Sequence, residues 1–504
     1  MRINLSIPIF LFVLLALFSY LALAKRDTEV VEDPEIRTCK HQCLQQPQYT
    51  EDDKQTCLQN CDAYHHMKQK REKDKEEKFR KKIAHEGYHH KEHEEEEECT
   101  EKVEEVDEGG EEENPYIFEE DRDFETKVET DDGRIRVLKK FTEKSKLLKG
   151  IQNIRLAILE ARAHTFVSPR HFDSDVVLFN INGRALLGWV KESETEKFVL
   201  ESGDMLMIPA GTPIYIVNRD ENEKLVLAML HIPVSTPGKF EEFFGPGGRD
   251  PESILSAFSY NVLQAALQSS KGKLEKLFSQ QNEGSMFKIS REKVQELAPK
   301  KSYWWFGGPS TAEFNLFTMP PTFSNSYGRL TEVGPSDSKS GLEKHNIMLT
   351  FASITQESMS TIQYNSHATK IALVINGTGH VQIACPHISS RSYSKHEKSS
   401  PSYHRISAAL KPRSVFVVPP GHPFVLFSSR KENLQIICFE INARDNKKFT
   451  FSGKDNIVSS LDDLAKELAF NYPSNIVNEI FDRKESFFFP FQLPQEERYL
   501  RADA

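Results

Sequence analysis

From residue 114 to the end, apolar positions fall in short runs of β-branched and aromatic residues, at 176–181, 185–190, 205–208, 215–217 and 225–230, separated by Gly, Pro, Asn and Asp. Runs of this length bounded by turn residues predict strands, and Asn182-Gly183 between two of them predicts a two-residue hairpin turn. Many short strands of this kind close into a barrel or jelly roll. Two longer stretches, starting at Ser253 and at Ile457, predict helices. In the second, Val458, Leu461, Leu464, Leu468 and Phe470 form an apolar stripe that needs a partner, either the parent barrel or a neighbouring subunit. The aromatic tail 487–491 is expected to be an unsheltered patch in a monomer.

The pattern occurs twice. Ile181-Asn182-Gly183 recurs as Ile375-Asn376-Gly377, and Ile208-Pro209-Ala210-Gly211-Thr212-Pro213 recurs as Val418-Pro419-Pro420-Gly421-His422-Pro423. In each copy a strand block, a Pro-x-Gly turn, further strands and a helical stretch follow in the same order, which identifies a tandem repeat.

The front of the chain follows other rules. Residues 1–24 carry one early arginine, an apolar run and the ending Ala22-Leu23-Ala24, the pattern of a cleaved signal peptide rather than a membrane anchor. Residues 25–67 hold Cys39-x3-Cys43 and Cys57-x3-Cys61. On helices, i and i+4 share a face, so two antiparallel helices would pair Cys39 with Cys61 and Cys43 with Cys57, one of three connectivities. A zinc site is the competing reading, disfavoured in an oxidising compartment. Residues 68–113 are dominated by Lys and Glu and cannot bury apolar surface, so they read as a disordered connector.

Composition narrows the classes. A chain of 504 residues exceeds a single core, and a net charge of −10 argues against a nucleic-acid partner. After signal cleavage no stretch is apolar enough for a membrane. No Walker loop, dinucleotide fingerprint or Gly-x-Ser-x-Gly elbow is found, so no organic cofactor is expected.

Four further segments carry a resemblance: Lys301-Ser302-Tyr303-Trp304-Trp305-Phe306, Phe314-Asn315-Leu316-Phe317, Phe323-Ser324-Asn325-Ser326-Tyr327-Gly328 and the run from Val415 to Pro423. On these the chain resembles the 7S vicilin-type seed storage globulins, a bicupin family, and its front resembles the cysteine-hairpin region of vicilin precursors. The resemblance implies a mostly β fold: two tandem cupin jelly-roll barrels, 114–300 and 301–504, each followed by a helical arm, behind a disulfide-linked α-hairpin. It also implies a homotrimer clasped by those arms, kept in the protein storage vacuole as a nutrient reserve and later digested by proteases, which would enter first at the charged connector. Release of the hairpin as a defence peptide is a second role that vicilin precursors suggest.

Cupin enzymes usually hold a metal through His-x-His, a glutamate and a late histidine. Here His171 is followed by Asp173, with Ile214 at the late position; the second copy reads Gln363-Tyr364-Asn365, with Phe424 at the late position. Neither copy keeps the set, so no enzyme is expected. Some vicilins instead bind copper through a Cys-x-His pair, a histidine in the Gly-His-Pro turn and a tyrosine from the N-terminal arm. Cys385, His387 and His422 match the first three, and Tyr116 is the candidate fourth. A thiolate with imidazoles suits copper or zinc; the alternative for Cys385 is a small core residue, which is also the reading of Cys438. Asn376-Gly377-Thr378 is a glycosylation acceptor in a hairpin turn.

Overall fold

The computed structural model describes residues 114–504 apart from 192–193, 246, 299–311, 313, 387–402, 455, 483–486 and 492–504, and ahead of 114 only Lys40, Glu51, Lys54, Gln55, Leu58, Gln59 and Asp62. The chain divides into two compact units, 1–107 and 108–504. In the first unit the described residues are helical, and Lys40 forms an ion pair with Asp62 at 3.0 Å, one residue from each predicted helix. The signal segment, Cys39, Cys43, Cys57, Cys61 and the charged connector lie outside the described residues.

The second unit holds both copies of the repeat, and each builds two sheets of the same strand order. In the first copy one sheet runs through Asp204–Ile208, Ser174–Asn182, Leu225–Pro233, Arg155–Ala161, Gly133–Leu138 and Phe124–Thr130; the other runs through Glu242–Phe244, Thr165–Phe172, Ile214–Asn218, Ala185–Lys191 and Glu194–Leu200. The second copy repeats the first of these with Val415–Val418, Thr369–Asn376, Leu434–Ile441, Ile347–Ile354, Gly328–Val333 and Phe323–Asn325. All five sequence-predicted strands are present. The hairpin at Asn376-Gly377 depends on glycine: its φ is +78°, and a Cβ there would sit 1.7 Å from the Asn433 carbonyl oxygen.

The run 176–181 is apolar at successive positions, Asn180 excepted, because both faces of its sheet are buried. Val176 and Leu178 point into the first barrel, while Val177, Phe179 and Ile181 belong to an apolar cluster that continues into the second barrel. Polar links cross the same boundary. Asp175 Oδ2 accepts from Lys344 Nζ and His345 Nε2, both at 2.7 Å, and Glu160 accepts from Arg413 at 3.1 Å.

Each copy also lends a leading strand to the other. Ile117–Phe118 precedes the first barrel yet pairs with Val415–Val418 of the second, and Phe314–Asn315 precedes the second yet pairs with Asp204–Ile208 of the first. This exchange carries Tyr116 into the second barrel.

The helical stretches differ in detail from expectation. The stretch from Ser253 opens with a single 3-10 turn, Ile254–Ala257, before helices Tyr260–Leu267 and Lys271–Gln280. In the second arm the helix does not start at Ile457 but spans Asp463–Phe470, followed by Ser474–Phe481. The cause is Asn456, fully buried, whose Oδ1 accepts from Ser459 N–H and whose Nδ2 donates to the Gly453 and Phe481 carbonyls, holding 456–460 as a turn. Val458 is buried, but Leu464 and Leu468 remain 66% and 76% exposed, so the fold of the single chain leaves the helical part of the stripe uncovered.

The aromatic tail corrects the sequence reading. Phe487, Phe488 and Phe489 are buried, because Phe488–Pro490 adds a strand to the second barrel against Ser358–Ser360. Asn325 Nδ2 fixes it by donating to the Phe488 carbonyl at 2.9 Å, and the Phe488 ring fills the space left by Gly328, where a Cβ would lie 2.8 Å from it.

Candidate functional site

Three of the four sequence-predicted metal ligands converge in the second barrel. Tyr116 sits in the turn just ahead of strand Ile117–Phe118: its N–H donates to Asn114 Oδ1 at 3.1 Å, and its carbonyl accepts from Val417 N–H at 2.8 Å. Cys385 ends strand Gly379–Cys385, whose last turn is pinned by Ala384 N–H donating to the Pro423 carbonyl at 2.8 Å. His422 follows Gly421, a turn glycine with φ of +75°. The Tyr116 hydroxyl lies 3.6 Å from Cys385 Sγ and 3.5 Å from His422 Nε2, and all three side chains are buried. His387 lies outside the described residues.

The electrostatics suit a soft ion. His422 Nδ1 faces the Pro420 carbonyl at 3.1 Å; a proton on Nδ1 donates there and leaves the Nε2 lone pair toward Tyr116. Burial first, and then the contact with Cys385, push the Tyr116 phenol well above its ordinary value, so without a cation the phenol keeps its proton. Donor separations of 3.5–3.6 Å are those of ligands sharing an ion at about 2.0–2.3 Å. The donor set of thiol, imidazole and phenol therefore fits copper or zinc. Among the described residues no group of three His, Cys, Asp or Glu side chains is poised for a metal, so the phenol is what makes this one a three-donor site.

The enzymatic cupin positions hold other roles. His171 stacks on Phe243 at 5.0 Å, and Asp173 accepts from Glu241 N–H and Ser235 Oγ, each at 2.6 Å. Ile214 and Phe424 are core residues. Cys438 is buried as expected, its thiol pushed up by burial. Asn376 is exposed at the hairpin tip, its Nδ2 3.4 Å from Gln435 Oε1.

Sequence reasoning missed two buried polar residues of the first barrel, Arg155 and His231, directly opposed on neighbouring strands. Their signal was an isolated His at the end of an apolar run and an Arg opening another. The corresponding position in the second barrel is Glu440, bound to Lys370 Nζ at 2.5 Å and to Lys448 at 3.4 Å.

Comparison with known proteins agrees with this architecture. The cupin family model matches residues 122–272 and 314–475, more than half of the chain. A sucrose-binding protein of Glycine max is 69% identical across the full length of both chains, and a vicilin of Juglans regia is 46% identical over 97% of this chain and 98% of its own. The crystal structure of vicilin from Corylus avellana superimposes with a TM-score of 0.69 at 48% identity, covering 75% of this chain and 100% of the other. On the family model and these relatives, the chain belongs to the vicilin-type 7S globulins of the cupin family and is a non-enzymatic seed storage protein.

Proposed function

We propose that this storage globulin also holds copper in its second barrel, with Tyr116, Cys385 and His422 as ligands and His387 as the fourth. The observation that carries the reading is the meeting of Tyr116 with Cys385 and His422 across 269 and 306 residues of sequence. Copper would supply a positive charge that stabilises thiolate and phenolate together and ties the first module's leading strand to the second barrel. Elemental mass spectrometry on protein purified without chelators tests it: about one copper per chain is expected, lost in Cys385→Ser. Bare polypeptide from both would refute it.

The same reading makes the mature protein a homotrimer in the protein storage vacuole. The exposed apolar faces of the arms, Val262 and Leu277 in the first and Leu464, Leu468 and Ile480 in the second, are the surfaces that neighbouring subunits would cover. Proteases at mobilisation would enter at the charged connector 68–113, and Asn376 would carry an N-glycan in solvent. The Cys39–Cys61 and Cys43–Cys57 hairpin would be released as a defence peptide; relatives in Macadamia integrifolia named as vicilin-like antimicrobial peptides support this role. Absence of growth inhibition by segment 25–82 would remove it.

A second reading is sugar binding. It is favoured by the relative named as a sucrose-binding protein together with an open cavity inside the first barrel.

A further inference from the structure

The first barrel is hollow where the second is filled. Its cavity measures about 560 Å³, with Leu159, Val167 and Ile216 among its apolar walls, against about 20 Å³ for the matching space in the second barrel. The larger volume is that of a small-molecule site.

Two buried polar residues line this cavity, each with a nitrogen that nothing in the chain matches: His231 Nε2 and Arg155 Nε. Leaving such a group unsatisfied in the interior is costly, so a ligand that answers both is favoured. Arg155 donates from Nη1 to the Gly238 carbonyl at 3.1 Å and from Nη2 to the Leu138 carbonyl at 2.9 Å. His231 is fixed by Ser174 Oγ on Nδ1 at 2.9 Å and by the Phe240 ring stacked flat at 3.8 Å. Burial, and then the Arg155 charge, hold the imidazole at a pKa of about 3, so it is neutral in use.

The chemistry of the ligand follows from these partners. With Ser174 on Nδ1, His231 Nε2 presents either a lone pair or a proton, and a ligand hydroxyl can serve both whereas a carboxylate can only accept. Four carboxylates and five cationic side chains line the cavity, nearly in balance, so the field there gives an anion little advantage. Phe172 and Phe244 add aromatic surface to the lining for the apolar side of a sugar. We propose that the first barrel binds one neutral saccharide per chain, with Arg155 and His231 hydrogen-bonding its hydroxyls, and that the second barrel binds none. This rests on the sugar-binding reading above and assigns its site.

Calorimetric titration of the full chain with sucrose tests the assignment. One sucrose per chain is expected, with binding weakened at least tenfold in His231→Phe and in Arg155→Met, which keeps the aliphatic stem. Ala157→Leu, which narrows the cavity without removing a hydrogen-bonding group, should weaken it as well and serves if either polar variant fails to fold. No binding by the unaltered protein overturns both the sugar reading and the site. Sucrose bound with unchanged affinity by folded variants, or two per chain, overturns the site alone. Preference for benzoate over sucrose overturns the saccharide and assigns the cavity to an amphiphilic carboxylate.

Discussion

The two barrels share strand order and turn glycines but put different matter at equivalent interior positions. His231 in the first corresponds to Glu440 in the second, Val176 to Lys370, Met229 to Cys438 and Ile214 to Phe424. Where the first barrel keeps a cavity beneath a neutral imidazole, the second closes it with Phe424, Phe488 and an internal ion cluster of Lys370, Glu440, Lys448 and Glu332. A duplicated fold thus fixes the strands and leaves the interior free to specialise. In this chain one interior is open and the other is packed, with a candidate metal site at its edge.

Breaking the second barrel should have the largest effect. Lys370→Met removes the nearer cation of the buried Glu440 carboxylate, leaving Lys448 at 3.4 Å, and should cost about 3 kcal/mol in denaturant unfolding. Phe488→Ala should cost a similar ~3–5 kcal/mol by opening a cavity where the first barrel has one by nature; a cost under ~1 kcal/mol would mean the tail strand is not integral. Overpacking should separate the interiors more gently. Cys438→Phe should cost about 1–3 kcal/mol in the filled barrel, and Met229→Phe less than ~1 kcal/mol beside the cavity.

The pH response should differ in onset. Burial raises the Glu440 carboxyl, but Lys370 and Lys448 outweigh it and hold the group at about 2, below its ordinary 4.5. The unfolded chain therefore binds this proton first, and stability is lost as pH falls from 4.5 toward 2. His231 is depressed from 6.5 to about 3, so the unfolded chain again binds the proton first, and loss begins as pH falls below 6.5. His231→Phe should flatten the upper part of an unfolding-versus-pH curve and Glu440→Gln the lower part; the reverse assignment would contradict the comparison. The smallest structural change should be seen in Leu464→Asp with Leu468→Asp. These exposed substitutions should leave monomer stability within about 0.5 kcal/mol while shifting sedimentation from trimer to monomer.

Much of this was legible before the structure because it is local. Strand runs and the turn signals Asn-Gly and Pro-x-Gly depend on neighbours in sequence, and their recurrence at Ile375 and Val418 exposed the duplication. Tyr116 was legible as a ligand only through the family likeness, since no spacing links it to Cys385. What joins them is the exchanged strand Ile117–Phe118, a long-range pairing with no sequence period. The tail at 487–491 was misread for the same reason: its hydrophobicity was visible, but not the edge of Ser358–Ser360 that receives it. The cavity was invisible because a void is set by what facing side chains fail to fill.

The most direct test of this division is a crystal structure of the full chain grown with copper and sucrose together. The account predicts metal density bounded by Tyr116, Cys385 and His422 in the second barrel and one sugar beside His231 and Arg155 in the first. Sugar in the second barrel, metal away from Cys385, or a first barrel left empty at saturating sucrose would contradict it.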